Sequence, residues 1–164
     1  MIDLDYVGLG HPAERPFVNL IHANTVLVKA QIAFEIGSGA FTFSQAILAG
    51  MEQTAGMLYT CDPNPKIKYA HPRMAFSPIK SDEAAKTWDL PIDLLMIDGN
   101  HTYPQVKKDF NNFYPFVSPW GVIIFHDINV GSAPGVKKLW NEIKPHHQIL
   151  AEILTWPGLG VIRK

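Results

Sequence analysis

The sequence predicts an α/β fold: a Rossmann-like three-layer sandwich with a mostly parallel, seven-stranded sheet that ends in an antiparallel hairpin. Three observations predict it. Short apolar runs bounded by turn residues alternate with helix-period segments between residues 32 and 143. Several of those runs end in glycine, aspartate or histidine, as strands do when they deliver polar groups to one sheet edge. The last two strand-like stretches are joined only by Pro157-Gly158, too little chain for a crossover helix. The 164 residues suit one domain, read as 1–164 with an arm and helix over 1–30 and the Rossmann-like core over 31–164.

The elements follow in order. Residues 1–15, rich in Gly, Pro and charge, read as an irregular arm. Phe17–Ala30 carries apolar residues at helical spacing, although Thr25, Val26 and Val28 are β-branched. Ile32–Ile36 is a buried strand that turns at Gly37-Ser38-Gly39. Thr42–Met51 is a helix, and Gly56–Cys61 is a strand closed by Asp62-Pro63. Lys66–Arg73 is short for a helix and contains Pro72. Met74–Ile79 is a strand that Pro78 assigns to an edge. Ser81–Trp88 is a short helix with Ser81 or Asp82 as its cap. Ile92–Ile97 is the clearest buried strand, and Tyr103–Phe116 is amphipathic. Pro119-Trp120-Gly121 turns into the strand Val122–Phe125. Pro134–Ile143 is a helix with proline in its first turn. Gln148–Trp156 and Leu159–Arg163 form the hairpin.

Composition excludes some functions. Hydrophobic residues make up 47% and charged residues 18%, which is globular rather than disordered. A net charge of -1 gives no electrostatic reason to expect nucleic acid or an acidic membrane as partner. One cysteine, Cys61, allows no internal disulfide and suits a reducing compartment. The N-terminus lacks a basic-then-apolar leader, and no apolar stretch nears the roughly 20 residues of a membrane span. A cytoplasmic protein is the expectation.

Right-handed crossovers place all parallel strand ends on one edge, so the residues there are the candidates. Glu35 sits in an apolar strand, and a buried carboxylate must find the loop N–H groups or a ligand ammonium. Gly37, Ser38 and Gly39 let the backbone approach a ligand, and the N-terminus of the following helix favours an anion. Thr42 replaces the third glycine of a dinucleotide loop; that speaks against pyrophosphate, while a ligand carboxylate asks less. Asp62 lies where an acidic side chain accepts from both ribose hydroxyls, and an Asx-turn before Pro63 is its structural alternative. Ser81 and Asp82 suit a base edge as well as a helix cap. Asp98, His126 and Asp127 converge if their strands are neighbours. A divalent cation would relieve the repulsion of the two carboxylates: magnesium or calcium for oxygen ligands, manganese, iron or zinc with the imidazole. Helix capping and second-layer hydrogen bonds are the alternative. His101 is a candidate general base. Cys61 has no neighbouring base and reads as core, as do Trp88, Trp120 and Trp140.

FEIGSGAFTFS, CDP, IDLLMIDGNHTYPQVKKDF and PWGVIIFHD, in this order and spacing, resemble the class I S-adenosylmethionine-dependent methyltransferases. The branch they are most similar to holds small-molecule O-methyltransferases of the catechol and macrolide-sugar type and cephalosporin-hydroxylase-like proteins. The resemblance covers residues 31–143. It implies that Glu35, Gly37 and Gly39 hold the methionine end of S-adenosylmethionine, Asp62 the ribose, and Ser81 with Asp82 the adenine. It implies metal-ligand positions at Asp98 and Asp127 and a base at His101. His126 stands where some members have an acidic ligand, which would change the metal preference or abolish metal binding, and Ile128 replaces a polar ligand of the catechol-type enzymes. The activity implied is methyl transfer to a small-molecule acceptor, a hydroxyl, with metal assistance at Asp98, His126 and Asp127 and with His101 as the proton acceptor. Only about thirty residues precede the first strand, which fits an open acceptor site or one closed by a second copy in a homo-oligomer. The competing readings are a nicotinamide-dependent oxidoreductase and a non-catalytic S-adenosylmethionine-binding or assembly module.

Overall fold

The computed structural model describes residues 15–132 and 134–164. The arm expected over residues 1–15 therefore lies, except for Arg15, outside the described residues.

The chain runs α1 (Arg15–Leu27), β1 (Ile32–Ile36), α2 (Thr42–Gly50), β2 (Met57–Cys61), β3 (Met74–Ser77), α3 (Ser81–Ala84), β4 (Ile92–Ile97), α4 (Tyr103–Phe113), β5 (Val117–His126), α5 (Pro134–Ile143), β6 (Gln148–Ile153) and β7 (Leu159–Arg163). These strands form one seven-stranded sheet in the order β3-β2-β1-β4-β5-β7-β6. β3, β2, β1, β4 and β5 are parallel, while β7 is antiparallel to both β5 and β6. This is the mixed Rossmann-like sheet expected.

Strand alternation separates the two cores. Leu94, Met96, Val122, Ile124 and Val161 face α1 and α2. Phe34, Leu95, Ile97, Ile123, Phe125 and Ile162 face α3, α4 and α5, with Trp140 at the centre of that layer. Because β4 and β5 are covered on both faces, they read as unbroken apolar runs.

Four local readings change. The helix after β3 is a single turn, Ser81–Ala84, and Trp88 turns inward to meet Phe34, with ring centroids 4.6 Å apart. Ser81 and Asp82 lie inside that turn rather than capping it; the cap residue is Lys80, whose N–H reaches Glu83 Oε2 at 3.4 Å. β5 begins at Val117, because Pro119-Trp120-Gly121 bulges out of the strand instead of preceding it. Trp120, expected to pack, is 72% exposed on that bulge. Residues 66–73 are irregular, as Pro72 suggests.

Gly160 lies against the Trp140 ring, and an added Cβ would sit 2.6 Å from it. Trp140 cannot retreat, since it is fully buried and its Nε1–H donates to Glu152 Oε1 at 2.6 Å. Gly160→Ala is expected to cost about 1–3 kcal/mol by overpacking and to lower Tm by roughly 3–10 °C. A thermal melt that superimposes on the parent would refute this account of the contact.

Candidate active site

The strand order reverses between β1 and β4, and a cavity of ≈ 620 Å³ opens outside their C-terminal ends. Gly37, at the end of β1, makes the close approach possible. Its N–H donates to Cys61 O at 2.9 Å on one side, and Asp98 N–H donates to Ile36 O at 2.9 Å on the other. Its φ is +87°. Gly39 N–H donates to Asp62 Oδ2 at 2.8 Å, and Asn64 N–H donates to Asp62 Oδ1 at 2.8 Å. Asp62 therefore makes the Asx-turn and clamps the glycine loop, and still lines the cavity with further acceptor capacity on each oxygen.

Two loop residues are placed differently from the expectation. Glu35 alternates with Phe34 and Ile36 and so points to the α1–α2 face, where it is 1% exposed and accepts from Ser44 Oγ. Burial, partly offset by the hydroxyls of Ser44 and Thr60, pushes its pKa up to about 7. Ser38 is buried, and its Oγ has no hydrogen-bond partner among the described residues. Neither residue lines the cavity, nor does the first turn of α2. The loop backbone at Gly37 and Gly39 lines it instead.

Farther along the wall, Ser81 and Asp82 join a polar network that sequence reading missed. Ser81 Oγ donates to Asp109 Oδ1 at 2.6 Å. Gln105 Nε2 donates to Asp109 Oδ1 at 2.9 Å, to Asp82 Oδ1 at 3.3 Å and to Ser81 Oγ at 3.4 Å. Lys108 Nζ pairs with Asp82 Oδ2 at 2.7 Å. Gln105 and Asp109 lie one turn apart on α4, a spacing legible in the sequence once that helix is known to pass the cavity.

The opposite end of the cavity holds two carboxylates and two imidazoles. His126 Nδ1 lies 3.0 Å from Asp98 Oδ1 and 3.3 Å from Asp127 Oδ1. His101 Nε2 lies 3.0 Å from Asp127 Oδ2 and 3.7 Å from Asp98 Oδ1. Asp127 reaches this place from a left-handed backbone, φ +60°, which turns it back toward the strand end. The charges alternate and shift one another. Asp127 first and Asp98 second outweigh burial and raise the His101 pKa to about 9. Burial alone would lower the His126 pKa, but Asp98 and Asp127 overcome it and bring it to about 10. Burial alone would raise that of Asp127, but the two imidazoles hold it well below the usual carboxylate range.

His101 offers a third ligand atom beside the two carboxylates. Asp98, His101 and Asp127 each offer one ligand atom, and these atoms lie within 4.8 Å of one another. His126 stands behind them, 6% exposed, with its ring edge against Phe17 and Phe43. Its β5 position puts it on the same face as Ile124, under α1 and α2, while its Nδ1 turns to Asp98 and Asp127 and it lines the same cavity. Cys61 is buried, and burial with Asp109 pushes its thiol up to about 12, so it is inert. Trp156 reaches the cavity rim and remains 59% exposed.

Known proteins share this framework. A putative caffeoyl-CoA O-methyltransferase from Staphylococcus aureus is 18% identical, with a TM-score of 0.75 over 98% of this chain and 87% of that one. A Podospora anserina methyltransferase with bound S-adenosylhomocysteine gives 15% and 0.73 over 98% and 85%. The N-methyltransferase NodS from Bradyrhizobium japonicum gives 12% and 0.70 over 99% and 92%. At these identities the likeness is one of fold. An uncharacterised protein of Sinorhizobium fredii is 45% identical over 78 residues, which make up 45% of this chain and 8% of that relative. An uncharacterised mimivirus protein is 50% identical over 36 residues, 22% of this chain and 16% of the relative. The chain thus spans a small part of the curated relatives it matches. The family model described as "Methyltransferase domain" matches residues 34–128, from β1 through the Asp98–Asp127 cluster. The chain belongs to the methyltransferase-domain family, and its fold is that of the class I S-adenosylmethionine-dependent methyltransferases.

Proposed function

We propose that residues 31–164 work as one cofactor-binding unit that transfers a methyl group from S-adenosylmethionine to a hydroxyl of a small-molecule acceptor. The observation that carries this reading is a single cavity with both kinds of chemistry: the glycine loop, Asp62, Ser81 and Asp82 on one flank, His101 between Asp98 and Asp127 on the other. S-adenosylmethionine supplies an already activated methyl group, so the protein needs to align the acceptor and manage one proton.

In this reading the Gly37 and Gly39 backbone seats the methionine end, and Asp62 accepts from the ribose hydroxyls. Ser81 and Asp82 meet the adenine. Glu35 and Ser38 support the loop from beneath. His101 stands nearest the acceptor and holds or takes the hydroxyl proton. With its pKa near 9 it is mostly protonated at neutral pH, and its base form grows as the pH rises.

The donor set of Asp98, His101 and Asp127 fits a divalent ion, and the mixed oxygen and nitrogen ligands favour manganese, iron or zinc over magnesium. With such an ion bound, His101 would be one of its ligands rather than the proton acceptor, and the ion would instead lower the pKa of a bound hydroxyl. The nicotinamide alternative finds no support in the family match.

Calorimetric titration with S-adenosylhomocysteine, with chelator, magnesium or manganese, tests the reading. Micromolar binding is expected, strengthened or altered by the divalent ion. No binding in any of these conditions removes the cofactor assignment. Binding that leads to no methyl transfer to any hydroxylated acceptor would favour the non-catalytic module.

A further inference from the structure

The polar network at the far end of the cavity has a defined hydrogen direction. Asp109 is 1% exposed, and its carboxylate accepts from Ser81 Oγ–H at 2.6 Å and from Gln105 Nε2 at 2.9 Å. Serine has one proton to give. While Asp109 takes it, Ser81 can only accept from whatever enters the cavity. Gln105 follows the same logic. Its nitrogen lies within reach of Asp109 Oδ1, Asp82 Oδ1 and Ser81 Oγ, all acceptors in this arrangement, so the amide must turn its NH₂ toward them. What it retains is the carbonyl Oε1, another acceptor. Asp82 is an acceptor by its charge, and Lys108 engages its other oxygen, Oδ2. Ser81, Asp82 and Gln105 all line the cavity, Lys80 beside them is exposed at its rim, and Asp109 stands behind them.

We infer that Asp109 is a specificity-determining positioning residue: by holding the Ser81 proton, it makes this end of the cavity an acceptor-lined site that selects a base bearing an exocyclic amine over one bearing a carbonyl. The inference rests on the adenine placement proposed above and adds the reason for the choice of base. A 6-amino purine donates to this wall. A 6-oxo purine keeps a donor at N1–H but sets its exocyclic O6, an acceptor, where the amine would donate, and in a partly buried site that mismatch at the exocyclic position costs affinity. Asp109 itself never touches the ligand.

The test compares the wild-type full chain with Asp109→Asn, measuring the affinities of S-adenosylhomocysteine and of S-inosylhomocysteine, its 6-oxo counterpart. The wild type is expected to prefer the amino compound at least about tenfold, the scale of one buried hydrogen bond. Asparagine nearly preserves the shape but can donate to Ser81 from its NH₂, which frees the hydroxyl proton to turn toward the cavity. The preference is therefore expected to fall to about threefold or less, with the 6-oxo compound gaining affinity. If Asp109→Asn does not fold, as checked by circular dichroism, Ser81→Ala replaces it; loss of the acceptor should lower the ratio by weakening only the amino compound. A role confined to holding α3 against α4 would weaken both ligands equally and leave the ratio unchanged, and that result overturns the proposal. Equal wild-type affinity for both compounds also overturns it while leaving the cofactor reading intact. Wild-type binding of neither compound overturns both.

Discussion

Gly37→Ala is expected to destabilise the protein by about 3 kcal/mol and to abolish measurable S-adenosylhomocysteine binding. Two independent costs meet at this residue. Its φ of +87° is a conformation that side chains rarely adopt. A Cβ there would also lie 2.3 Å from the Asp98 carbonyl oxygen and 2.9 Å from Gly99 Cα, both of them backbone atoms. Neither strand can step aside, because Asp98 N–H is bonded to Ile36 O and the β1–β4 register is set by four paired residues on each strand. The displacement would fall on the loop that lines the cavity. Gly39→Ala is the control. Its φ is +48°, but among the described residues no atom beyond its chain neighbours lies within 4 Å of the added Cβ, so only the conformational cost of about 1 kcal/mol applies. Urea unfolding of the two variants measures the difference. Equal losses would mean that the close approach of β1 to β4 does not decide the stability of the switch point.

The second large effect concerns His101. His101→Ala is expected to slow methyl transfer by about 10²–10⁴-fold while changing the affinity for S-adenosylhomocysteine less than about threefold, a margin for the modest electrostatic change at the cavity's other end. Asp127 and Asp98 raise its pKa to about 9, so at pH 7 roughly 1% of the imidazole is in the base form. Turnover of the parent enzyme should therefore rise with pH and level off near 9, and the variant should lose that limb. The same shift has a stability consequence of fixed sign. The folded pKa lies above the unfolded value, so the His101 contribution is complete below about pH 6.5 and is lost as the pH rises through about 9. Equal loss of binding and turnover would sink the base assignment. A flat pH profile in the parent would show that another group handles the proton.

Much of this was legible in the sequence, for physical reasons. A strand covered on both faces has no polar positions to spare, so Ile92–Ile97 and the run into Phe125 declare themselves as apolar blocks. A parallel strand must end where its helix begins, so the polar residues after each block fall on one edge. That reasoning picked out Gly37, Gly39, Asp62, Ser81, Asp82, Asp98, His101, His126 and Asp127 without any coordinates, and all of them line the cavity. It was less informative where a short segment depends on its neighbours. Ser81–Trp88 carries helix signals throughout, yet Trp88 gains more by packing on Phe34 and Tyr59 than by continuing the helix. The triplet at 119–121 reads as a turn by composition, but β4 pairs with Val117 before it and with Val122 after it, which makes it a bulge.

What the sequence determined by itself is the order of elements, the sheet edge that carries the chemistry and the types of residue found there, because all three follow from local periodicity and from chain connectivity. What only the tertiary structure decided is which of those residues meet. Strand alternation turned Glu35 and His126 toward the α1–α2 face, and a left-handed residue at Asp127 brought its carboxylate to His101. Asp109, 28 residues from Ser81 along the chain, became its hydrogen-bond partner. Such pairings depend on strand register and on how helices pack across the sheet, and no stretch of local sequence encodes either.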